Sequence, residues 1–244
     1  DVALLYQRDL FKLLSSRSIS IPPLKQYRPT RDLLHVSGLL LTGDTLDVFV
    51  CHLPSRSGGA KESESYRLYA AHILRMEVDS IMSIRSLPQV IIMGDFNDYP
   101  TNQSIQKILE AEAPPVTTNN LASTTGSTNF STVAPSSLKL YHLLARKAKS
   151  KDFGSYKYRG EWGLLDHLIV SGTLLNQSNH FFTSEEKANV CLLPFLLKDD
   201  EKYGDKEPFR TYKGMKYQGG VSDHLPIYAD FELCLLYTSP SPRD

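Results

Sequence analysis

The apolar and polar positions along the chain predict a protein that mixes β-strands with helices. Residues 33–41 and 45–52 have strand-like patterns separated by Thr-Gly-Asp, and such a short connection is typical of a hairpin. In the second strand, alternation places Leu46, Val48 and Val50 on one face and Asp47, Phe49 and Cys51 on the other. This strand ends at His52, where a loop begins.

A helical pattern and an unbroken apolar run follow. Residues 62–85 predict a long amphipathic helix, whose buried face would hold Tyr66, Tyr69, Ala70, Ile73, Leu74, Val78 and Ile81. Residues 90–93 are all apolar, as in a strand buried on both faces, and lead into Gly-Asp-Phe-Asn-Asp at 94–98. Thr101 is expected to cap a helix that carries Ile105, Ile108 and Leu109.

The remaining segments predict further strands and two loops. Strand-like patterns lie at residues 2–6, 156–158, 164–170 and 227–233. The first of these is expected to be a central strand. Residues 113–138 are rich in Thr, Ser, Asn and Pro, and residues 198–220 are charged and contain Gly, so both are expected to be surface loops. Helices mixed with hairpin-linked strands favour an α/β sandwich of mixed sheets.

The composition is that of an ordinary globular domain. The 244 residues can bury a sizeable core, and Lys+Arg and Asp+Glu are 27 each, so no polyanionic partner is required, although local basic patches are compatible with that total. Cys51, Cys191 and Cys234 form neither a disulfide framework nor a zinc motif. No apolar run reaches the length of a membrane-spanning helix.

Neither end of the chain is expected to be the natural end of the protein. The chain begins at Asp1 without a Met and inside an apolar run, so an N-terminal part, with any targeting segment, is expected to be missing. The sequence is therefore compatible with a cytoplasmic location and with a secreted or periplasmic one. Residues 234–244 resemble a translated adapter sequence, with a genuine Ser/Pro tail as the alternative. The domain is accordingly assigned to residues 1–233.

Candidate chemical groups lie at or near strand ends, where a rigid scaffold presents catalytic side chains. Asp95 and Asn97 are two residues apart, so in an extended segment they project to the same side. Together they could orient a water and hold a phosphate oxygen. The alternative is an Asx-turn in which Asn97 and Asp98 cap local backbone.

Asp166 lies in an apolar strand, where an unpaired charge is costly, and it therefore needs a partner. His224 is a candidate, because a carboxylate fixes the tautomer of an imidazole and stabilises its charged form. Taken alone, Asp223 and His224 are typical of a surface pair, and His52 of a structural histidine.

Four segments in a specific order carry a family resemblance. They are His-Leu-Pro-Ser-Arg at 52–56, Gly-Asp-Phe-Asn-Asp at 94–98, Trp-Gly-Leu-Leu-Asp-His at 162–167 and Ser-Asp-His-Leu-Pro at 222–226. Through them the chain, from residue 1 to about residue 233, resembles the endonuclease/exonuclease/phosphatase superfamily. Gly58-Gly59, Pro-Phe-Arg-Thr-Tyr at 208–212 and Gly219-Gly220 resemble a bacterial branch.

The resemblance implies a DNase I-like fold, a four-layered α/β/β/α sandwich of two mixed β-sheets, and hydrolysis of phosphate esters by direct attack of water on phosphorus. It implies that Asp95 orients or deprotonates the water and that Asn97 donates to a non-bridging oxygen. His224 would bind the phosphoryl group or act as the base, with Asp166 orienting it. His52 would contact the phosphate or assist the leaving group.

The implied cofactor is Mg²⁺, or Mn²⁺, since the ligands are hard oxygens and the chain lacks a thiolate set. The resemblance places Asp223 near the metal. In relatives the principal metal ligand is a Glu that precedes the segment matching residues 1–6. This chain lacks it and is therefore expected to be an impaired enzyme.

Four substrate classes are compatible with the sequence: nucleic acid, nucleotide, inositol phosphate and phospholipid head group. No protein partner is implied. Arg56, Arg159 and Arg210 either read phosphate or are solvated surface charges, and Trp162 either stacks on a base or packs. The alternative function is a catalytically inactive binding module on the same fold. Such a module has no chemical need for the whole set of Asp95, Asn97, Asp166, Asp223 and His224.

Overall fold

The structure, a computed structural model, describes residues 2–24, 29–116 and 135–235. The first eight strands are β1 (Phe11–Ile19), β2 (Leu33–Leu40), β3 (Thr45–His52), β4 (Gln89–Asp95), β5 (Leu140–His142), β6 (Tyr156–Tyr158), β7 (Glu161–Gly163) and β8 (Asp166–Ser171). The others are β9 (Phe181–Phe182), β10 (Ala188–Val190), β11 (Leu197–Asp199), β12 (Lys206–Pro208), β13 (Tyr212–Lys213), β14 (Lys216–Tyr217), β15 (Ile227–Ala229) and β16 (Glu232–Leu233).

One long helix, α1 (Glu64–Ile84), is followed by the π-helical turn Ser104–Ile108. Short 3-10 helices lie at Lys147–Lys149, Gly172–Leu175, Glu185–Lys187 and Pro194–Leu196. Among the described residues, no helix is long and apolar enough to cross a membrane.

A six-stranded mixed sheet, in the order β1-β2-β3-β4-β8-β5, forms the centre of the molecule. The predicted hairpin joins β2 to β3, and the N–H of Gly43 in its turn donates to the carbonyl of Leu40 at 3.0 Å. β3 and β4 pair in parallel, while the other neighbours in this sheet pair antiparallel. A parallel pair needs a crossover connection, and α1 provides it.

The alternation in β3 divides its side chains between two hydrophobic cores, as predicted. Phe49 and Cys51 lie in the core that α1 covers. Leu46 and Val48 lie in the core on the opposite face of the sheet. The predicted apolar face of α1 is also confirmed, since its buried members include Tyr66, Ala70, Leu74, Val78 and Ile81.

Short strand pairs cover the second face of the sheet. β9 pairs with β16 and β10 pairs with β15, and Phe181, Ala188 and Val190 pack in the same core as Leu46 and Val48. With α1 on the first face, these layers make an α/β sandwich, which confirms the predicted class of a sandwich that combines helices with mixed β-structure. In the described residues this second layer is divided into two-stranded ladders, because each of its strands is only two or three residues long.

The prediction of a central strand at residues 2–6 is wrong. Leu5 is 96% exposed, and the described residues 2–7 hold no regular structure. The strand near this end of the chain is β1, at the edge of the sheet. Its residues are exposed at every position between Phe11 and Ile19. Its sequence therefore lacks the alternation that marks a half-buried strand.

Several other boundaries differ from the predictions. The strand predicted at 164–170 begins at Asp166 and reaches Ser171. The segment 198–220 contains short hairpin strands, and the closing strand is divided into β15 and β16. Thr101 does not cap the next helix, because Gln103 directly precedes the π-helical turn and the backbone around residue 101 forms a turn. Residues 117–134 of the predicted loop lie outside the described residues.

Candidate active site

Strand register gathers three of the predicted site residues at one edge of the sheet. His52 stands opposite Asp95 in the parallel pair of β3 and β4. Asp95 stands opposite Asp166 in the antiparallel pair of β4 and β8. Two carboxylates and an imidazole therefore meet on three neighbouring strands, although they come from distant parts of the sequence.

His224 completes this group through its bond to Asp166. Its Nδ1–H donates to Oδ2 of Asp166 at 2.7 Å, which is the pairing that the apolar setting of Asp166 predicts. The hydroxyl of Ser155 donates to the same oxygen at 2.5 Å. Backbone contacts hold the two segments together, since Tyr156 and His224 form a bridge and the N–H of Leu225 donates to the carbonyl of Ser155 at 2.7 Å.

The turn after β4 places Asn97 against Asp95. The backbone N–H of Asn97 donates to Oδ1 of Asp95 at 2.7 Å, and its side-chain amide donates to Oδ2 at 3.3 Å and to the carbonyl of Leu53 at 3.1 Å. Asn97 has a positive φ of 51°, which Asn tolerates better than most residues. Gly94 has a φ of 132°, and a Cβ there would lie 1.9 Å from the carbonyl oxygen of Cys51. The turn therefore requires glycine at that position.

The close carboxylates change the proton affinities of the site. Burial, followed by the charge of Asp166, raises the pKa of Asp95 to about 6. Burial opposes protonation of His224, but the hydrogen bond and charge of Asp166 outweigh it and raise the pKa of His224. Burial lowers the pKa of His52. Near neutral pH, these shifts favour an ionised Asp95, a charged His224 and a neutral His52.

One group in the described residues is arranged so that it could hold a metal ion. Ligand atoms of Asp95, Asp166 and His224 all lie within 4.8 Å of one another. Both hydrogen bonds to the Asp166 side chain end on Oδ2, which leaves Oδ1 for a cation. Asp223 is exposed and does not belong to this group, so its assignment to the metal stays a prediction.

The motifs did not indicate Arg31, which the structure places at the same edge. Arg31 precedes the first residue of β2 by two positions, and β2 pairs antiparallel with β3, the strand that ends at His52. After burial, the charge of Arg31 is the next cause that lowers the pKa of His52. It also opposes the rise in the pKa of Asp95. The Arg31 guanidinium could be recognised as part of the site only from the fold.

Arg56 and Trp162, predicted to contact substrate, have protein partners. The Nε–H of Arg56 donates to the carbonyl of Asn97 at 2.7 Å, and its guanidinium lies 4.4 Å from the ring centroid of Tyr99. Trp162 is partly buried against the second core, and Lys157 Nζ lies 5.7 Å from its ring. These contacts leave the substrate-binding roles of both residues as predictions.

A buried ion pair supports the turn from behind. Asp98 accepts from Nε of Arg67 at 2.8 Å and from the hydroxyl of Ser104 at 2.7 Å. The other guanidinium nitrogens of Arg67 donate to the Ser63 hydroxyl and to the Ala60 carbonyl, both at 2.6 Å. Arg67 and Asp98 are almost fully buried, so α1 is tied to the turn by charges that are shielded from water.

Two buried histidines continue this network, and sequence reasoning did not identify them. The backbone N–H of Leu144 donates to Nδ1 of His142 at 3.1 Å. Nε2 of His142 then donates to Nδ1 of His167 at 2.6 Å, and Nε2 of His167 donates to the carbonyl of Asp98 at 2.8 Å. This pattern requires both imidazoles to be neutral. Burial lowers the pKa of His142 well below its ordinary value and that of His167 to about 4.

Acid is expected to destabilise the fold through these two histidines. The pKa of His167 falls from 6.5 to about 4 on folding, so below pH 6.5 the unfolded chain binds a proton that the folded chain does not. At about 1.4 kcal/mol for each pKa unit, this group alone lowers the free energy of unfolding by about 3 kcal/mol between pH 6.5 and 4.

Urea denaturation across that pH range, with NMR titration of the imidazole resonances, measures this effect. His72 is exposed on α1, and a His72→Gln variant serves as the control because it should leave the pH dependence unchanged. A folded-state pKa near 6.5 for His167 would contradict the argument.

Comparison with known proteins relates this chain to one family. The sequence profile of the Endonuclease/Exonuclease/phosphatase family matches residues 1–233. No curated protein sequence matches the chain.

Three solved structures are similar to this chain, and the two with TM-scores above 0.5 share its fold. Mannosyl-6-phosphatase from Bacteroides thetaiotaomicron is 16% identical with a TM-score of 0.53, and the alignment covers 93% of this chain and 68% of that one. Humanized D. rerio TDP2 is 16% identical with a TM-score of 0.51, covering 92% and 69%. The human Nocturnin catalytic domain is 19% identical with a TM-score of 0.49, covering 93% and 62%. The chain thus spans 62% to 69% of these proteins.

Proposed function

Because the chain belongs to the Endonuclease/Exonuclease/phosphatase family, whose profile matches residues 1–233, we propose that it hydrolyses phosphate esters by direct attack of water on phosphorus. One observation carries this proposal. His52, Asp95 and Asp166 share one edge of the sheet, and His224 is bonded to Asp166 there. Such a set can deprotonate a water and stabilise an anionic transition state.

Asp95 is the proposed general base. A base is most effective when its pKa lies near the working pH, and that of Asp95 is raised to about 6. It is therefore mostly ionised at pH 7 but still has a useful affinity for the proton of a water. The N–H of Asn97 on Oδ1 holds the carboxylate in one orientation.

His224 is the proposed cationic donor to the phosphoryl group. Asp166 holds its Nδ1–H, which directs Nε2 away from that bond, and raises its pKa. A charged imidazole placed in advance offsets the negative charge that develops on the phosphoryl oxygens. In this scheme Asp166 is a positioning residue and does not touch the substrate.

Asn97 and His52 are proposed to contact the phosphate from the other side. The 3.3 Å bond from the Asn97 amide to Asp95 is long for a hydrogen bond, so that amide can move to a non-bridging oxygen. The lowered pKa of His52 keeps its ring neutral, with an N–H to donate to the phosphate or to the leaving group.

A divalent cation fits this site, because carboxylate oxygens are the ligands that Mg²⁺ and Mn²⁺ prefer. In this proposal the carboxylate oxygens of Asp95 and Asp166 hold the ion, Asp223 is a further candidate ligand, and His224 remains the cationic donor beside it. When bound, such an ion would polarise the phosphoryl oxygen.

The alternative, a binding module without catalysis, predicts the same fold but no turnover. The assay uses bis-p-nitrophenyl phosphate and an oligonucleotide with Mg²⁺, with Mn²⁺ and with EDTA. We expect metal-dependent hydrolysis at the low rate of an impaired enzyme, and a further loss of roughly 100-fold or more in Asp95→Asn, since a general base contributes at least that much. The control is Asp152→Asn, at an exposed carboxylate. Binding of phosphate esters without hydrolysis under any condition would support the module instead.

A further inference from the structure

Two tyrosines of β6 extend outward from the catalytic histidine. The ring of Tyr156 lies 4.9 Å from the ring of His224, centroid to centroid. The ring of Tyr158 lies 6.4 Å from that of Tyr156, and their planes differ by only 11°. Tyr158 is 56% exposed, so the row ends in an aromatic surface that faces water.

Each tyrosine has an arginine beside it. Arg210 lies 5.9 Å from the ring centroid of Tyr156, and Arg159 lies 5.2 Å from that of Tyr158. Within the described residues neither arginine forms an ion pair with a carboxylate, whereas Arg67 and Arg85 both do. Nη2 of Arg210 donates to the carbonyl of Lys157 at 3.4 Å, and its Nε is buried without a hydrogen-bond partner in the part of the chain that the structure describes. Neither guanidinium charge is therefore neutralised by a described carboxylate, so both can attract an anion.

The strand that carries this row is rigidly held from its other face. Lys157, between the two tyrosines, is buried, donates to the carbonyls of Gly204 and Lys206 at 2.9 and 3.0 Å, and pairs with Asp200 at 3.3 Å. A row anchored in this way loses little conformational entropy when a ligand binds.

The turn between β6 and β7 fixes Arg159 in the same way. Arg159 and Gly160 have φ values of 53° and 86°, and two successive positive φ angles are typical of a tight hairpin turn. The β6–β7 pairing closes this turn, with Tyr158 opposite Glu161. The backbone that carries Arg159 is therefore fixed by the turn, while its exposed side chain can adjust to a ligand.

We propose that Tyr156, Tyr158, Arg159 and Arg210 form a subsite for the nucleotides next to the cleaved phosphate, and that the substrate is single-stranded nucleic acid. The inference rests on the proposed function. Bases stack on tyrosine faces, and guanidinium groups pair with the neighbouring phosphates. An inositol phosphate or a phospholipid head group has no planar ring to stack. Bases inside a duplex are already stacked and do not present their faces.

The surroundings of Tyr158 also provide room for a polymer. Tyr158 lines a cleft of about 970 Å³ together with Tyr99 and Trp162. Tyr99 follows the turn of Asp95 and Asn97, so this cleft begins close to the point where β4 ends. A strand bound at the catalytic edge can therefore continue along β6 and into the cleft.

Binding to the 244-residue chain tests the subsite without depending on turnover. Fluorescence anisotropy in EDTA compares a labelled single-stranded DNA 12-mer with an abasic strand of equal length and charge. Tyr158→Ala is expected to weaken binding of the base-bearing strand by about 5- to 150-fold and to leave the abasic strand unchanged. Tyr158→Phe keeps the ring and should bind like the unmodified chain. Arg159→Gln should weaken both strands and reduce the salt dependence.

Tyr228→Ala is the matched control, since Tyr228 is a similarly exposed tyrosine on β15. Equal weakening of both strands by Tyr158→Ala, or no weakening of either, overturns the subsite. Binding to anionic lipid vesicles is measured in parallel. Weakened vesicle binding by Tyr158→Ala, with DNA binding unchanged, also overturns the subsite. Base-selective binding without metal-dependent hydrolysis of any phosphate ester would overturn the proposed function and leave the subsite standing.

Discussion

Replacing Asp166 with Asn is expected to lower kcat by roughly 10²- to 10⁴-fold while changing KM little, the range typical of a lost acid–base function. The carboxylate holds Nδ1 of His224 at 2.7 Å and raises its pKa. An amide of the same shape supplies no charge and can present its NH₂ to the ring, which favours the wrong tautomer. The donor to the phosphoryl group is then lost, although substrate contacts elsewhere remain.

The pH dependence of kcat/KM provides a second measurement on the same variant. Activity should fall at low pH as Asp95, with a pKa of about 6, takes up a proton, and at high pH as His224 loses one. The charge of Asp166 raises both pKa values, so in Asp166→Asn both limbs should move to lower pH. Ser155→Ala removes one hydrogen bond to Asp166 but keeps its charge, and should leave the limbs nearly in place. Unchanged turnover in Asp166→Asn would contradict the role of this pair.

Arg67→Met is expected to lower the free energy of unfolding by about 3 kcal/mol, the lower end of the range for a broken buried ion pair. The variant leaves Asp98 buried with only the Arg56 guanidinium, 3.6 Å away, as a charge partner. The loss also removes the donors to Ser63 and to the carbonyl of Ala60. Urea denaturation at pH 7 measures the change. The matched control is Arg17→Met, in an exposed pair with Glu77, which should cost far less because surface ion pairs contribute little.

A double variant distinguishes the charge effect from simple loss of packing. In Arg67→Met with Asp98→Asn, both buried charges are removed, and much of the lost stability should return. No recovery in the double variant would mean that the packing of the long Arg67 side chain, and not its charge, stabilises this region.

The parts of the fold that follow from alternation could be predicted from the sequence, and those that depend on pairing could not. β3 has a clear two-residue period, and its faces lie where that period places them. β1 has no such period because nearly all its residues are exposed, and only its backbone bonds to β2 make it a strand.

The same distinction applies to the site. Asp95, Asp166 and His224 lie in short motifs and could be identified from residue order alone. Arg31 could not, because it lies outside these motifs and comes near the site only through the fold of the segment that precedes β2. His142 lies outside the motifs, and His167 belongs to the motif at 162–167 without a role assigned to it; only their hydrogen bonds show that the two form one network.

The register between β4 and β8 has a consequence for how such a protein can diversify. Asp95 and Asp166 face each other because their strands pair, whatever the length of chain between them. Lengthening a surface loop costs little free energy, and each doubling of its length adds only about 0.6 kcal/mol. Insertions and deletions between the two strands can therefore accumulate in descendants without moving the carboxylates apart. The proposed reaction can then be inherited unchanged while the surface that selects the substrate is rebuilt.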